Sequence, residues 1–208
     1  LYWIVDEHGK SIPFEPNEEQ LDFVRNIHTR NLILKARQLG FSTLLEILQL
    51  DQALFNANHT GSVISDTREN GGKLFGKIEH AYAKLPATLL EALPLKAMAS
   101  KSSIEFEHGS GIWVATSARG GTVQFLHVSE LGKISRRHPQ RAQEIVSGGF
   151  EAVPQDGIIV VESTAEGAFG EFFDLCDTAM KREEGHSDTS RVDDEQRWKP
   201  LFLVQPLS

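Results

Sequence analysis

Short runs rich in β-branched and large aliphatic residues alternate along this chain with longer amphipathic stretches. The short runs Asn31–Ala36, Gly61–Ser65, Ser103–Glu107, Ile112–Thr116, Val123–Val128, Gly157–Glu162 and Leu201–Val204 predict strands. The amphipathic stretches Glu18–His28, Ser42–Asn56, Arg68–Lys84, Pro139–Ser147 and Ala168–Glu183 predict helices. "EHGSG", Glu107–Gly111, lies between two strand-like runs and reads as a hairpin turn. The alternation predicts an α/β fold, a largely parallel central sheet covered by helices, with a β-hairpin inserted before the Val123 strand. The chain carries no internal repeat.

Residues 181–200 break the pattern. "KREEGHSDTSRVDDEQRWKP" is polar, has few core-forming residues and reads as a long exposed loop. Its Asp193, Asp194 and Glu195 read as a solvated patch, because adjacent carboxylates with no histidine pattern do not form a defined metal cage. The chain of 208 residues is expected to be one domain around a single substantial core, with at most an appended lobe. A lone cysteine, Cys176, excludes an internal disulfide framework, fits a reducing compartment and reads as a small buried helix residue. No apolar run approaches the roughly 18 residues a membrane span needs, and the first residues do not read as a signal peptide. The net charge of −8 argues against a surface coated by nucleic acid, while leaving contact through a local patch or a basic partner domain. Leu1 rather than Met opens the chain, so a piece of something longer is expected.

Chemistry enters at "NLILKARQLGFST", where an apolar strand feeds a loop and then a helix. A nucleoside triphosphate loop needs backbone N–H groups around the phosphates, a cation for the outer phosphates and a hydroxyl for Mg²⁺ at a helix N-terminus. Aligned on the G-x-x-x-x-G-K-[ST] pattern, Lys35, Ala36, Arg37, Gln38, Leu39, Gly40, Phe41 and Ser42 retain the second glycine and the hydroxyl, followed by Thr43. Lys35 replaces the first glycine and Phe41 the usual lysine. A loop curled round a phosphate brings its ends together, so Lys35 can reach the same phosphates from the opposite end. Arg37 adds a planar fork suited to phosphate oxygens. An ordinary strand–turn–helix also satisfies this stretch on its own.

Such a loop predicts a downstream strand ending in acid. "VQFLHVSELGK" supplies it, with Ser129 and Glu130 at the end of the Val123–Val128 run. Glu130 is the candidate general base or water-positioning carboxylate, and Ser129 a hydroxyl able to bond a Mg²⁺-bound water. His127 inside that run reads as a packed core residue, with no paired spacing for zinc. A third run, "GIIVVESTAEGA", ends in Glu162, Ser163, Thr164 and Ala165. Small hydroxyl residues at that end can sense a γ-phosphate, since ligands of open α/β sheets sit at the carboxyl ends of strands. Arg119 in "TSARGGT" is a candidate phosphate or DNA contact. Arg136, Arg137 and His138 read as a solvated basic loop, with the two arginines further candidate contacts to DNA or phosphate.

Together "KARQLGFST", "FLHVSELGK" and "VVESTAEGAFGEFFD" resemble the ATPase domain of the large terminase subunit of tailed bacteriophages, the DNA-packaging motor, over nearly the whole chain. The resemblance implies a P-loop NTPase fold of the ASCE type, with ATP and Mg²⁺ as cofactors. It implies adenine recognition by Gln20, phosphate contacts by Lys35 through Thr43 and hydrolysis triggering by Arg37. It further implies Mg²⁺ at Ser42, Ser129 and Glu130, catalysis by Glu130 and coupling through Ser163, Thr164 and Ala165. Lysine at the loop's start with an aromatic in its usual place is a variant found in the family; serine for aspartate at 129 departs from the usual acidic pair. Implied partners are double-stranded DNA, a portal protein, a small terminase subunit and further copies in a homo-oligomeric ring, with no membrane, in the host bacterial cytoplasm. Terminases continue into a nuclease domain, and the chain is expected to be the motor half, ending where the linker begins. The residues leave open a helicase-like ATPase, or a degenerate module that binds nucleotide without turnover.

Overall fold

The computed structural model describes residues 1–36, 39–99, 101–115, 121–183 and 198–203, the last two residues of the 121–183 and 198–203 segments by backbone only. Strands are β1 (Trp3–Val5), β2 (Ser11–Pro13), β3 (Arg30–Lys35), β4 (Thr60–Ile64), β5 (Leu95–Ala99), β6 (Ser103–Phe106), β7 (Gly111–Ala115), β8 (Phe125–Ser129), β9 (Ile158–Ser163) and β10 (Lys199–Leu203). Helices are α1 (Glu18–Arg25), α2 (Phe41–Phe55), α3 (Arg68–Ala83), α4 (Ala87–Ala92), α5 (Leu131–Arg137), α6 (Pro139–Glu144) and α7 (Glu171–Glu183), with a π-helical turn (Ile145–Gly149) closing α6.

Eight strands form one sheet in the order β10-β3-β9-β8-β4-β7-β6-β5. From β10 to β7 every pairing is parallel, and β6 and β5 add an antiparallel edge. The expected hairpin is β6–β7, turned through Gly109 at φ +87°. It lies within the main sheet, because β7 also pairs parallel to β4.

Alternate residues of the central strands feed opposite faces, as the two-residue period requires. Leu32, Leu126, Val128 and Val161 pack with α5, α6 and α7. Ile33, Phe125 and Val160 pack with α1 and the start of α2. A third cluster joins α2 and α3 to Val63, Ile104, Phe106 and Ile112. Central strands covered on both faces read as continuous apolar runs, which is why "LIL" and "IIVV" stood out. Polar side chains inside such runs need partners.

The structure corrects several boundaries and adds elements. β1 and β2 form a separate antiparallel pair, anchored where the Tyr2 hydroxyl donates to Asp51 at 2.7 Å; their three-residue length hides their period. β5, of five residues, and α4, of six, are further short additions. Arg136 and Arg137, read as loop, are the last turn of α5, where cations complement the helix dipole. Residues 181–200 begin inside α7 and end inside β10, so both flanks of the expected loop are regular. Asp193, Asp194 and Glu195 lie outside the described residues, as do Arg37, Gln38 and Arg119.

Candidate nucleotide site

Helix α1 starts at a capping box: Asn17 Oδ1 accepts from the Gln20 N–H at 2.8 Å, and Gln20 Oε1 accepts from the Asn17 N–H at 3.1 Å. The buried Gln20 amide then donates to the Leu39 carbonyl at 3.3 Å. Gln20 is thus a strut between α1 and the loop after β3. Gly40 caps α2 at φ +72°, a left-handed conformation that glycine adopts without penalty. An added Cβ there would lie 2.7 Å from the Gln20 Nε2. Gly40→Ala is therefore expected to cost about 1–2 kcal/mol. Denaturant melts should show a smaller cost for the same change in a Gln20→Ala background, since the two sites share a contact.

Phe41 opens α2 fully buried, its ring edge-on to Phe23 at 5.8 Å and 82°. It fastens the helix start to α1. A lysine at this position would carry its charge into that cluster. A cation stands nearby in Lys35, at the carboxyl end of β3 and 9% exposed.

Lys35 does not stand alone. Its Nζ lies 3.0 Å from Glu162 Oε2 and 3.5 Å from the Ser42 hydroxyl. Glu162 Oε1 accepts from Ser42 Oγ at 2.6 Å and from Ser129 Oγ at 3.1 Å. The His127 ring bridges two carboxylates, with Nε2 3.2 Å from Glu162 Oε1 and Nδ1 2.9 Å from Glu46 Oε1. Lys77 of α3 donates to the Thr43 hydroxyl at 2.9 Å. Ala36 follows Lys35, half-buried at the foot of the loop.

The alternation of the sheet explains the convergence. β3, β9 and β8 are neighbours, with Ile33 beside Glu162 and Glu162 beside Ser129. Lys35, Glu162, His127 and Ser129 share parity with Ile33, Val160 and Phe125, so all face α2. Two carboxylates and three cationic groups thereby meet beneath the start of α2.

Their charges support one another. Burial works against charge on His127, but its hydrogen bonds to Glu162 and Glu46 outweigh that and raise its pKa to about 9. Burial likewise opposes the Glu162 charge, yet the His127 hydrogen bond and charge, Lys35 and the Ser42 hydroxyl hold it well below the usual carboxylate range. Burial lowers the pKa of Lys77, opposed by Glu46 and Glu162. With His127 protonated, the cluster carries one more cation than carboxylate, under a helix N-terminus whose dipole also favours anions.

On the outer side, Glu130 occupies a left-handed conformation, φ 61° and ψ 43°, with its N–H donating to the Glu162 carbonyl at 2.7 Å. Such backbone in a non-glycine residue is costly and clusters at functional sites. Its carboxylate lies 3.1 Å from Lys133 Nζ and accepts from Thr164 Oγ1 at 3.4 Å. Ser163 points to the opposite face of the sheet, its hydroxyl donating to the Thr164 carbonyl at 2.9 Å and accepting from the Gly132 N–H at 3.1 Å. Ala165 lines a small apolar cavity with Leu34, Phe172 and Cys176. The end of β9 therefore touches both Glu130 and α5. Arg136 pairs with Glu166 at 3.3 Å, and Arg137 is exposed.

Lys35, Ser42, Ser129 and Glu162 form one contiguous set, and Glu130, Thr164 and Lys133 a second, joined through the Glu162 backbone. Glu162, His127, Glu46 and Lys77 are the members that sequence reasoning did not assign. A signal existed: Glu46 in "LLEIL" and His127 and Glu162 in apolar strands are charged groups in positions bound to be buried. His127 is buried, as read, but as the bridge of an ionic network.

All-oxygen ligation suits Mg²⁺, which keeps several waters and takes one or two protein groups plus substrate phosphates. The Ser42 and Ser129 hydroxyls converging on one carboxylate fit that sparse requirement. Among the described residues no group of three or more His, Cys, Asp or Glu forms a metal cage, and no helix is long and apolar enough to cross a membrane.

No protein-family model and no curated protein matches this sequence. Solved structures do. The Thermus phage P74-26 large terminase ATPase domain superposes with a TM-score of 0.65 at 13% identity, over 91% of this chain and 81% of that one. The HK97 bacteriophage large terminase gives 0.66 at 14% identity, over 91% of this chain and 43% of its own. The large terminase of the thermophilic bacteriophage D6E, in complex with ADP, gives 0.54 at 11% identity, over 91% of this chain and 46% of that one. At such identities the likeness is one of fold, and it spans nearly the whole chain. This chain has the fold of phage large terminase ATPase domains, helices packed on an eight-stranded, mostly parallel sheet.

Proposed function

We propose that this chain is an ATP-hydrolysing motor domain that moves double-stranded DNA during phage genome packaging. One observation carries the reading: three adjacent strand ends deliver a lysine, a serine hydroxyl and a carboxylate to the N-terminus of α2, where Ser42 adds a second hydroxyl, in the fold of terminase ATPase domains. Lys35 would hold the outer phosphates, together with the Arg37 side chain and the N–H groups of Gln38 through Thr43. Gln20 fixes the loop through Leu39 and is the candidate for adenine recognition. Ser42 and Ser129 would hold Mg²⁺, which when bound neutralises developing phosphate charge. Glu130 would orient the attacking water and take its proton. Thr164, touching the Glu130 carboxylate, would report its state to α5 through Ser163 and Gly132.

The resemblance extends the proposal to a ring of copies working with a portal protein and a small terminase subunit in the host bacterial cytoplasm. The whole of 1–208 would act as one motor domain. Arg119, Arg136 and Arg137 are its candidate contacts to DNA or phosphate.

The purified chain should hydrolyse ATP with Mg²⁺, faster when linear double-stranded DNA is added. Arg137→Glu should remove the stimulation while basal turnover stays. Nucleotide binding without turnover under any condition would favour the non-hydrolysing module instead. Absence of binding would remove the site.

A further inference from the structure

We propose that Glu162 supplies, from the neighbouring strand, the carboxylate that Ser129 lacks, serving the nucleotide-bound metal and neutralising Lys35 when no nucleotide is present. The inference rests on the nucleotide-site reading above and names a residue which that reading leaves without a task.

The geometry is specific. Glu162 and Ser129 are direct partners in the β8–β9 register, so they stand at the same height at the carboxyl ends of adjacent strands. The Glu162 carboxylate contacts the loop lysine at 3.0 Å, the helix-start hydroxyl at 2.6 Å and Ser129 Oγ at 3.1 Å. These are the groups that would meet phosphate and metal. Its side chain is fully buried. A buried carboxylate is costly unless its partners are in place, and here they are the site itself.

Serine at 129 becomes intelligible on this arrangement. Aspartate there would set a second carboxylate within hydrogen-bond distance of Glu162, and two anions so close disfavour joint ionisation. Serine donates instead and leaves Glu162 without a second anion across the β8–β9 pair. The same logic fits the lysine at position 35. Its Nζ approaches Glu162 Oε2 from β3, the strand flanking β9 on the side away from β8, so the carboxylate lies between the two substituted positions. His127 holds the Oε1 side and is itself fixed by Glu46, an orienting arrangement of the kind that tunes ligating groups. Glu162 has two tasks of opposite sign toward a nucleotide: alone it competes with phosphate for Lys35, and with metal present it favours the metal–nucleotide complex.

That opposition is measurable. Affinity for a fluorescent ADP analogue would be compared in EDTA and in Mn²⁺ for the wild type, Glu162→Gln and the double variant Ser129→Asp/Glu162→Gln, with free Mn²⁺ followed by electron spin resonance. Glu162→Gln is expected to bind more tightly than wild type in EDTA and to lose about 10–100-fold of the gain that Mn²⁺ confers. The double variant is expected to recover that gain. It keeps the charge of the cluster and remains the decisive comparison where the single variant does not fold. A Mn²⁺-dependent gain unchanged in folded Glu162→Gln, or a folded double variant that binds the analogue without the gain, overturns the assignment of Glu162 alone. A wild type that binds no analogue in either condition overturns the nucleotide-site reading as well.

Discussion

Lys35→Ala is expected to cost this protein both its nucleotide affinity and a large part of its stability. Lys35 sits at the end of a central strand with its ammonium on a carboxylate that has no access to solvent. Removing one member of a buried pair leaves the other uncompensated, which costs about 3–5 kcal/mol. His127, Ser42 and Ser129 still face Glu162 and keep the loss toward the lower part of that range. The cycle with Glu162→Gln tests the cause. If the lost partner is the problem, Lys35→Ala/Glu162→Gln is more stable than Lys35→Ala alone, because contacting residues couple. Urea unfolding of the four proteins measures it. A Lys35→Ala cost under about 1 kcal/mol would place the pair in the class of exposed ion pairs and contradict the burial described here. Nucleotide binding by that variant at wild-type strength would remove Lys35 from the phosphate site.

Glu130→Gln is expected to do the reverse, sparing structure while stopping chemistry. Its carboxylate is partly exposed, and its pairing with Lys133 is a near-surface i,i+3 contact worth at most about 1 kcal/mol. The glutamine amide keeps the length and one acceptor for Thr164, so unfolding should change little. General-base assistance contributes about 10²–10⁴-fold to a rate, and turnover should fall by that factor with nucleotide affinity unchanged. Single-turnover hydrolysis beside equilibrium binding separates the two. If Glu130→Gln turns over at the wild-type rate while Glu162→Gln does not, the water-positioning role moves to β9. The two carboxylates thus make opposite forecasts: Glu162 governs metal dependence and the integrity of the core, Glu130 the hydrolytic step.

The difference between them shows where sequence reading succeeded. Glu130 follows an apolar run directly and was recognisable from its place at a strand end. Its left-handed backbone was not, because strain is a property of the chain's path between β8 and α5. Gly40 could be placed at a loop-to-helix junction, yet the reason alanine would not fit is the Gln20 amide from a different helix. Phe41 looked like a substituted lysine. Its partner Phe23 lies 18 positions away in sequence, and only their contact explains an aromatic ring at a helix start. Arg136 and Arg137 read as loop from sequence because a seven-residue helix carries too few turns for its period to register against its charge.

By itself the sequence determined the α/β alternation, the apolar strands and which strand ends bear polar groups, since these follow from local periodicity and from the cost of burying polar atoms. It also carried the parity of Lys35, His127, Ser129 and Glu162, because a strand's alternation assigns each side chain a face. Tertiary structure decided that these faces coincide. Inserting β9 between β3 and β8 is a matter of sheet order, and it rests on the β3–β9 pairing, whose partners lie more than a hundred residues apart in sequence. Only there does Glu162, an acid at the end of one apolar run, become the shared partner of a lysine from a second and a serine from a third. Buried charge is tolerated only where its counter-charges are in contact, so that convergence, invisible along the chain, is what holds the candidate site together.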